Sequence, residues 1–320
     1  MASVTRTLIR PSTIRTLSYS APPPHAPLRR RPNHRVHLVF GANTDVGKSI
    51  VSAGLVRAAA LAAMDVAPSS ARALASVNYI KPLQCGGSDE SFVMDQRDDS
   101  GFERGNIVCR TLFSWKTPAS PHLSSRLEGL PVCDAEVLAS LRSSLEPIKE
   151  GNDGAMTTTI IESAGGALSP SSSSPLHDRS CMLGDGRWGW STQADLYKSL
   201  HLPVVFVGDG KLGGIGVTLA SLEALWSRGY QVDAVVFVEG GADCDGTGEG
   251  IRFGRGNAEA LQEYLMMHRH PSYLDGDSII CLPSLPPMPL ALTDWYGSNQ
   301  EAFMKLHHFL CQRWKESFCE

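Results

Sequence analysis

The residues best suited to chemistry open with GANTDVGKS, Gly41 to Ser49, directly after the apolar run VHLVF. A glycine followed by a lysine and a hydroxyl at the mouth of a helix suits phosphate. Backbone N–H groups at a helix start favour an anion. Gly47 lets the main chain approach closely, Lys48 reaches β- and γ-phosphates, and Ser49 can set its hydroxyl on Mg²⁺. The spacing departs from the usual phosphate loop, which has four residues between its first glycine and Gly-Lys-Ser/Thr. Here Ala42, Asn43, Thr44, Asp45 and Val46 make five.

Three more positions could join that loop. Lys81, in YIKPLQCGGSDESF, stands at a predicted strand end, where an ammonium can face anions. Asp89 follows a Gly-Gly-Ser turn; it either caps a helix or reaches a metal held by Ser49. Glu162 ends an apolar run in IIESAGGALSP, and a carboxylate buried there needs a partner. Mg²⁺ prefers oxygen ligands, often one or two carboxylates with phosphate and water, which Ser49, Asp89 and Glu162 could supply. VGDGKLGGIGVT, around Lys211, reads as a glycine-rich turn or as an anion site. His122 in SPH is as readily a loop histidine as a site residue.

The elements that must position these groups alternate. Residues 36–40, 77–83, 157–163, 202–209, 232–239 and 278–283 read as strands, the second ending at Pro82, which lacks a donor. Residues 48–64, 134–148, 218–229 and 298–318 read as helices, with Asp134 as an N-cap and Gly229 as a stop. Continuous apolar strands between helices predict a parallel sheet covered on both faces, an α/β doubly wound fold of P-loop NTPase type. Ligands on such sheets sit beyond the carboxyl ends of the strands. The Ser/Gly/Pro-rich stretch 168–191 predicts a long loop, an insertion or a lid.

Charge is divided unevenly. Residues 1–35 hold seven arginines and no acid, leaving 22 basic against 33 acidic residues in the remainder. An acidic body argues against nucleic acid as a partner. No apolar run approaches the roughly 20 residues that span a bilayer, so no membrane partner is expected. The Arg-, Ser- and Thr-rich start has the composition of an organellar transit peptide. That predicts a leader over 1–34, import to the mitochondrial matrix, and one domain over 35–320 with a long loop at 167–195. The eight cysteines show no zinc spacing and are expected as free thiols.

Taken in order, the five-spacer loop, KP after the second strand, SPH, E-x-AGG-x-x-SP and KLGG resemble dethiobiotin synthase over about residues 36–318. LFSWKTPASPHLSS and LPSLPPMP resemble the synthase half of the eukaryotic bifunctional proteins, in which an aminotransferase follows. The resemblance implies a homodimer that carboxylates 7,8-diaminononanoate with CO₂, phosphorylates the carbamate with ATP and closes a ureido ring. It implies Mg²⁺ held by Ser49, Asp89 and Glu162, with Asp95 as a rival to Asp89, and catalytic roles for Lys48 and Lys81. Nucleotide contacts fall on Asn43, Thr44, Asp45, Val46, Gly47, Lys48, Ser49 and Ile50, with Leu282 and Pro283 bordering adenine. Substrate contacts fall on Lys81, Ser120, Lys211, Leu212, Gly213, Gly214 and Ile215. A diaminopelargonate aminotransferase is an expected partner, with the chain a separate synthase, a spliced form or a truncated one. The base-reading asparagine of bacterial relatives is not evident in VVFVEGG, so the resemblance does not carry nucleotide selectivity. The alternative is a partition-type ATPase switch, but such proteins carry a second lysine inside the loop, which is missing here.

Overall fold

The computed structural model describes residues 28, 30–66, 75–96, 106–146, 156–172, 189–240, 253–268, 274, 278–287 and 292–319. The leader expected at 1–34 and the centre of the expected loop, 173–188, lie largely outside them.

Seven strands form one sheet: β1 His34–Gly41, β2 Ser76–Cys85, β3 Ile107–Trp115, β4 Thr157–Glu162, β5 Val204–Val207, β6 Val232–Val238 and β7 Ile279–Leu282. Their order is β3-β2-β4-β1-β5-β6-β7 and every pairing is parallel. Parallel neighbours need crossovers, and helices supply them. These are α1 Lys48–Val66, α2 Asp89–Asp95, α3 Pro121–Leu127, α4 Asp134–Leu145, α5 Gln193–Tyr197, α6 Gly214–Ser227 and α7 Phe253–Met267, while α8 Leu292–Ser298 and α9 Gln300–Glu316 follow β7.

Alternation along each strand divides the core in two. Leu38, Phe40, Ile80, Ile161, Phe206 and Phe237 pack against α4 to α7. Val39, Tyr79, Ile160, Val205 and Val236 pack against α1, α8 and α9. Gly54 permits the closest approach on that second face, since a Cβ there would lie 2.1 Å from the Phe303 ring of α9.

The structure corrects several boundaries. β2 does not end at Pro82 but runs to Cys85. Its ladder with β4 stops at Ile80↔Ile161, whereas its ladder with β3 continues to Cys85↔Trp115. The missing N–H of Pro82 therefore falls where β4 has already ended. The N-cap of α4 is Cys133, whose N–H donates to the Glu136 carboxylate at 3.0 Å. Asp134 is the first helical residue, and its carboxylate accepts from the Ser191 hydroxyl instead. Strand β5 is shorter than expected, and α6 starts at Gly214 rather than residue 218. The helix expected over 298–318 is α9, Gln300–Glu316, and a further short helix, α8, ends at Ser298 just before it. Gly229 follows α6 with φ +80°, as a helix stop requires.

Candidate active site

β1 lies between β4 and β5, and the chain passes from its carboxyl end into the phosphate-type loop and then α1. The loop needs two left-handed backbones: Asp45 at φ +57° and Gly47 at φ +97°. Gly166 packs against its back, where a Cβ would lie 3.0 Å from the Ala42 carbonyl oxygen. Lys48 is the first residue of α1 and its Nζ donates to the Asn43 carbonyl at 3.0 Å.

Register brings the other charged groups here. Ile80 is level with Ile161, so the next residues, Lys81 and Glu162, meet on the face that α1 covers. Lys81 Nζ lies 2.8 Å from Glu162 Oε1 and 2.6 Å from Asp89 Oδ2, and donates to the Ser163 carbonyl at 3.2 Å. Ser49 Oγ donates to Glu162 Oε1 at 2.9 Å, and the Tyr79 hydroxyl donates to Glu162 Oε2 at 3.0 Å. Glu162 is fully buried and Lys81 only 4% exposed. Burial alone would raise the Glu162 pKa, but the Lys81 ammonium and its hydrogen bond hold it below the ordinary carboxylate value. Burial likewise works to lower the Lys81 pKa, and the Glu162 and Asp89 carboxylates outweigh it, raising the net value. Lys48 is drawn down to about 8, first by burial and then by repulsion from Lys81.

Asp89 owes its freedom to its neighbour. Ser88 is the N-cap of α2, its hydroxyl accepting from Ser91 N at 3.1 Å, so the Asp89 carboxylate is left to reach Lys81. The capping reading of Asp89 is thereby overturned. Asp95, at the far end of α2, is exposed.

A cleft of about 810 Å³ gathers these groups. Its walls include Thr44, Gly47, Lys48, Ser49, Ile50, Lys81, Asp89, Ser120 and Glu162. Asn43 stays beside it, turned to the loop's own Thr44 N–H, and Val46 is buried under the loop. Lys211 and Leu212 are exposed, Gly213 has φ +81°, and Gly214 and Ile215 begin α6; none of the five lines the cleft. Leu282 is buried at the end of β7, paired with Val238, whose side chain lies beside Gly47; Pro283 is exposed. Sequence reasoning missed Tyr79, Gln84 and Phe92. The last two line the cleft, and a tyrosine two residues before Lys81 on one strand was the available signal for the first.

A second recess of about 110 Å³, lined by Arg30, Lys198, His201 and Arg228, lies at the amino ends of the strands, away from these groups. Among the described residues no three His, Cys, Asp or Glu side chains converge as a ready-made metal cage, and no helix is long and apolar enough to cross a membrane.

No family model matches the chain. It is 34% identical over 317 residues to the mitochondrial bifunctional dethiobiotin synthetase/7,8-diamino-pelargonic acid aminotransferase of Oryza sativa subsp. japonica, covering 84% of this chain and 33% of that protein. The Arabidopsis thaliana protein of the same name is 30% identical over 299 residues, 75% of this chain and 33% of its own. The chain thus spans about a third of the length of these relatives. The ATP-dependent dethiobiotin synthetase of Agrobacterium fabrum is 29% identical over 201 residues, covering 63% of this chain and 73% of that protein. Among solved structures, pNOB8 ParA bound to nonspecific DNA overlays with a TM-score of 0.44 at 11% identity, covering 88% of this chain and 98% of that one. By sequence, then, the chain is a relative of the dethiobiotin synthetases, similar both to the bacterial ATP-dependent enzyme and to part of the bifunctional proteins.

Proposed function

We propose that this chain is a dethiobiotin synthetase: it carboxylates 7,8-diaminononanoate with CO₂, phosphorylates the carbamate from ATP and closes the ring, releasing ADP and phosphate. The observation that carries this reading is the set Ser49, Lys81, Asp89 and Glu162 at the mouth of the phosphate loop, with Lys81 and Glu162 buried and Ser49 and Asp89 half-buried. In this reading the Lys81 ammonium would stand beside the bound phosphates, which suits a reaction run by positioning and electrostatics. Lys48 would sit on the phosphates. Lys81 would hold the carbamate anion, and Ser120 the diamine.

Mg²⁺ fits the donor set. The Ser49 hydroxyl and the Asp89 and Glu162 carboxylates are the hard oxygen ligands that ion takes, and the Lys81 ammonium already shows that the group accommodates a cation. When bound, the ion would offset charge on the transferred phosphoryl group. Leu282 and Pro283 would border the adenine, and the exposed stretch Lys211–Ile215 would serve the substrate carboxylate from a second copy in a homodimer. The names of the plant relatives support a mitochondrial address, with 1–34 as leader and an aminotransferase as functional partner.

The test is phosphate release from Mg-ATP with diaminononanoate and bicarbonate, supplied together and singly, with the product identified by mass. Phosphate that appears only with both, alongside dethiobiotin, is the expected result. Release that ignores the diamine would sink the reading.

A further inference from the structure

The proposed reaction frees protons that the charged groups around Glu162 are ill suited to take up. When an amine nitrogen gives its lone pair to the carbon of CO₂, a C–O π pair moves to oxygen and one N–H proton must leave. Ring closure by the second amine frees another. The groups already placed in the cleft are poor acceptors. Glu162 receives Ser49 and Lys81 on one oxygen and Tyr79 on the other. Asp89 is tied to Lys81, and Lys81 is itself a cation held by two carboxylates. Burial pushes the Cys85 thiol up, keeping it protonated. Lys48 lies at the phosphate loop, where bound phosphates would keep it charged.

One further pair begins in the wall and leads away from it. Ser120 lines the cleft, and its Oγ lies 2.9 Å from His122 Nδ1. Ser120 is the N-cap of α3, where a hydroxyl ordinarily accepts from the helix backbone, yet it makes no such bond and meets the imidazole instead. Among the described residues, the His122 ring also faces the Trp190 ring, at 5.8 Å between centroids, and the Arg126 cation one turn along α3, while the His122 carbonyl accepts from Ser125 Oγ at 3.2 Å. Partial burial first, and Arg126 second, lower the His122 pKa, so the ring is neutral near pH 7. In the tautomer with a bare Nδ1, it accepts the Ser120 O–H and leaves the Ser120 oxygen free to accept an N–H.

We propose that Ser120 and His122 are the proton exit of the ring-forming reaction. The amine passes its proton to Ser120 Oγ as Ser120 passes its own to His122 Nδ1. Free amine, CO₂ and neutral imidazole thereby become carbamate and imidazolium, and the imidazolium returns its proton to water. Ser120 touches the substrate; His122 is the positioning residue that acts through it. This inference rests on the diamine reading above.

The test follows dethiobiotin formation against pH in the full chain, with His122→Ala, His122→Gln and Ser120→Ala, at saturating Mg-ATP and bicarbonate. Affinity for a non-hydrolysable ATP analogue is measured alongside as a check on folding. His122→Ala should lower kcat by about 10²-fold, the usual worth of a positioned acid–base group, with analogue affinity unchanged. The acidic limb of the wild-type profile should vanish in both His122 variants, and added imidazole should restore part of the His122→Ala rate. Wild-type rates and profile in both His122 variants would overturn the inference. So would a lost rate with the limb retained and no rescue by imidazole. If the wild type forms no dethiobiotin, the diamine reading itself falls and takes this one with it.

Discussion

Replacing Lys81 by methionine tests whether the buried charges of the site are as interdependent as the geometry requires. In the native chain Glu162 has no exposure, and among the described residues Lys81 is the cation paired with it, at 2.8 Å. Lys81→Met leaves that carboxylate with neutral hydroxyls, Ser49 and Tyr79 among them, and only the more distant charge of Lys48. Removing one partner of a buried ion pair costs about 3–5 kcal/mol, because the other charge remains desolvated. Asp89 adds little, since it is partly exposed and can rehydrate. The sign with pH follows from Glu162. Its native pKa is lowered, so it contributes stability above the ordinary value of 4.5, and this is lost as pH falls through the folded value. In the variant, burial without the ammonium raises that pKa, so acidification protonates the carboxylate and relieves the penalty. Urea unfolding should show a deficit of about 3–5 kcal/mol at pH 7.5 that shrinks towards pH 5. Adding Glu162→Gln to Lys81→Met should recover roughly 1–3 kcal/mol of it. A deficit independent of pH, or a double variant no more stable than the single, would refute the reasoning.

Other consequences can be measured directly. Lys81→Gln should abolish turnover while leaving Mg-ATP binding in place; full turnover would remove Lys81 from the chemistry. Gly54→Val puts side-chain atoms where the Phe303 ring already lies 2.1 Å from a Cβ, so α1 and α9 must separate. A thermal scan should show a loss of about 1–3 kcal/mol, and an unchanged midpoint would mean the helices do not pack as described. His307 is lowered to about 4, chiefly by burial. The unfolded chain therefore takes up its proton first, and stability should drain away as pH falls from 6.5 towards 4. His307→Gln should flatten that part of the curve in denaturant titrations at each pH. Lys48, near 8 before nucleotide binds, should take up a fraction of a proton when phosphates arrive at pH 8. Calorimetry in two buffers of different ionisation enthalpy would show it, and buffer-independent heats would contradict it.

The strands were legible where they are buried on both sides, because such strands are unbroken apolar runs. β3, one of the sheet's two edges, was not: IVCRTLFSW carries the exposed Arg110 and Ser114 on a half-exposed ribbon and shows no such run, whereas β7 at the other edge keeps the short apolar IICL. Helix α7 was hidden by Gly254 and Gly256 near its start, although Ala258, Leu261 and Leu265 supply a buried stripe. The early start of α6 was lost the same way, behind Gly213, Gly214 and Gly216. In the site, Glu162 was legible as a buried carboxylate needing a partner, but the partner's identity was not. Lys81 lies 81 residues away, and only the order β2-β4-β1 and the pairing Ile80↔Ile161 make the two neighbours. Neither strand order nor register is written in a single sequence.

That register also explains why the two lysines of the site behave differently. Both are buried, Lys48 as the first residue of α1 and Lys81 within β2, so desolvation disfavours the charge on each. β2 continues past the last residue of β4, which sets Lys81 against the terminal carboxylate of that strand and within reach of Asp89 from α2. Two carboxylates then overcome the cost of burial there. Lys48, at the start of α1, donates among the described residues to the Asn43 carbonyl and has no carboxylate in a salt bridge with it, and its pKa falls. Of the two cations, Lys48 is the one whose charge is under-compensated by the protein, and it stands in the loop whose backbone is shaped for an anion. An incoming polyphosphate would be drawn to that lysine first. Lys81, held with Ser49 around Glu162, would remain among the oxygen groups suited to a metal ion and a carbamate.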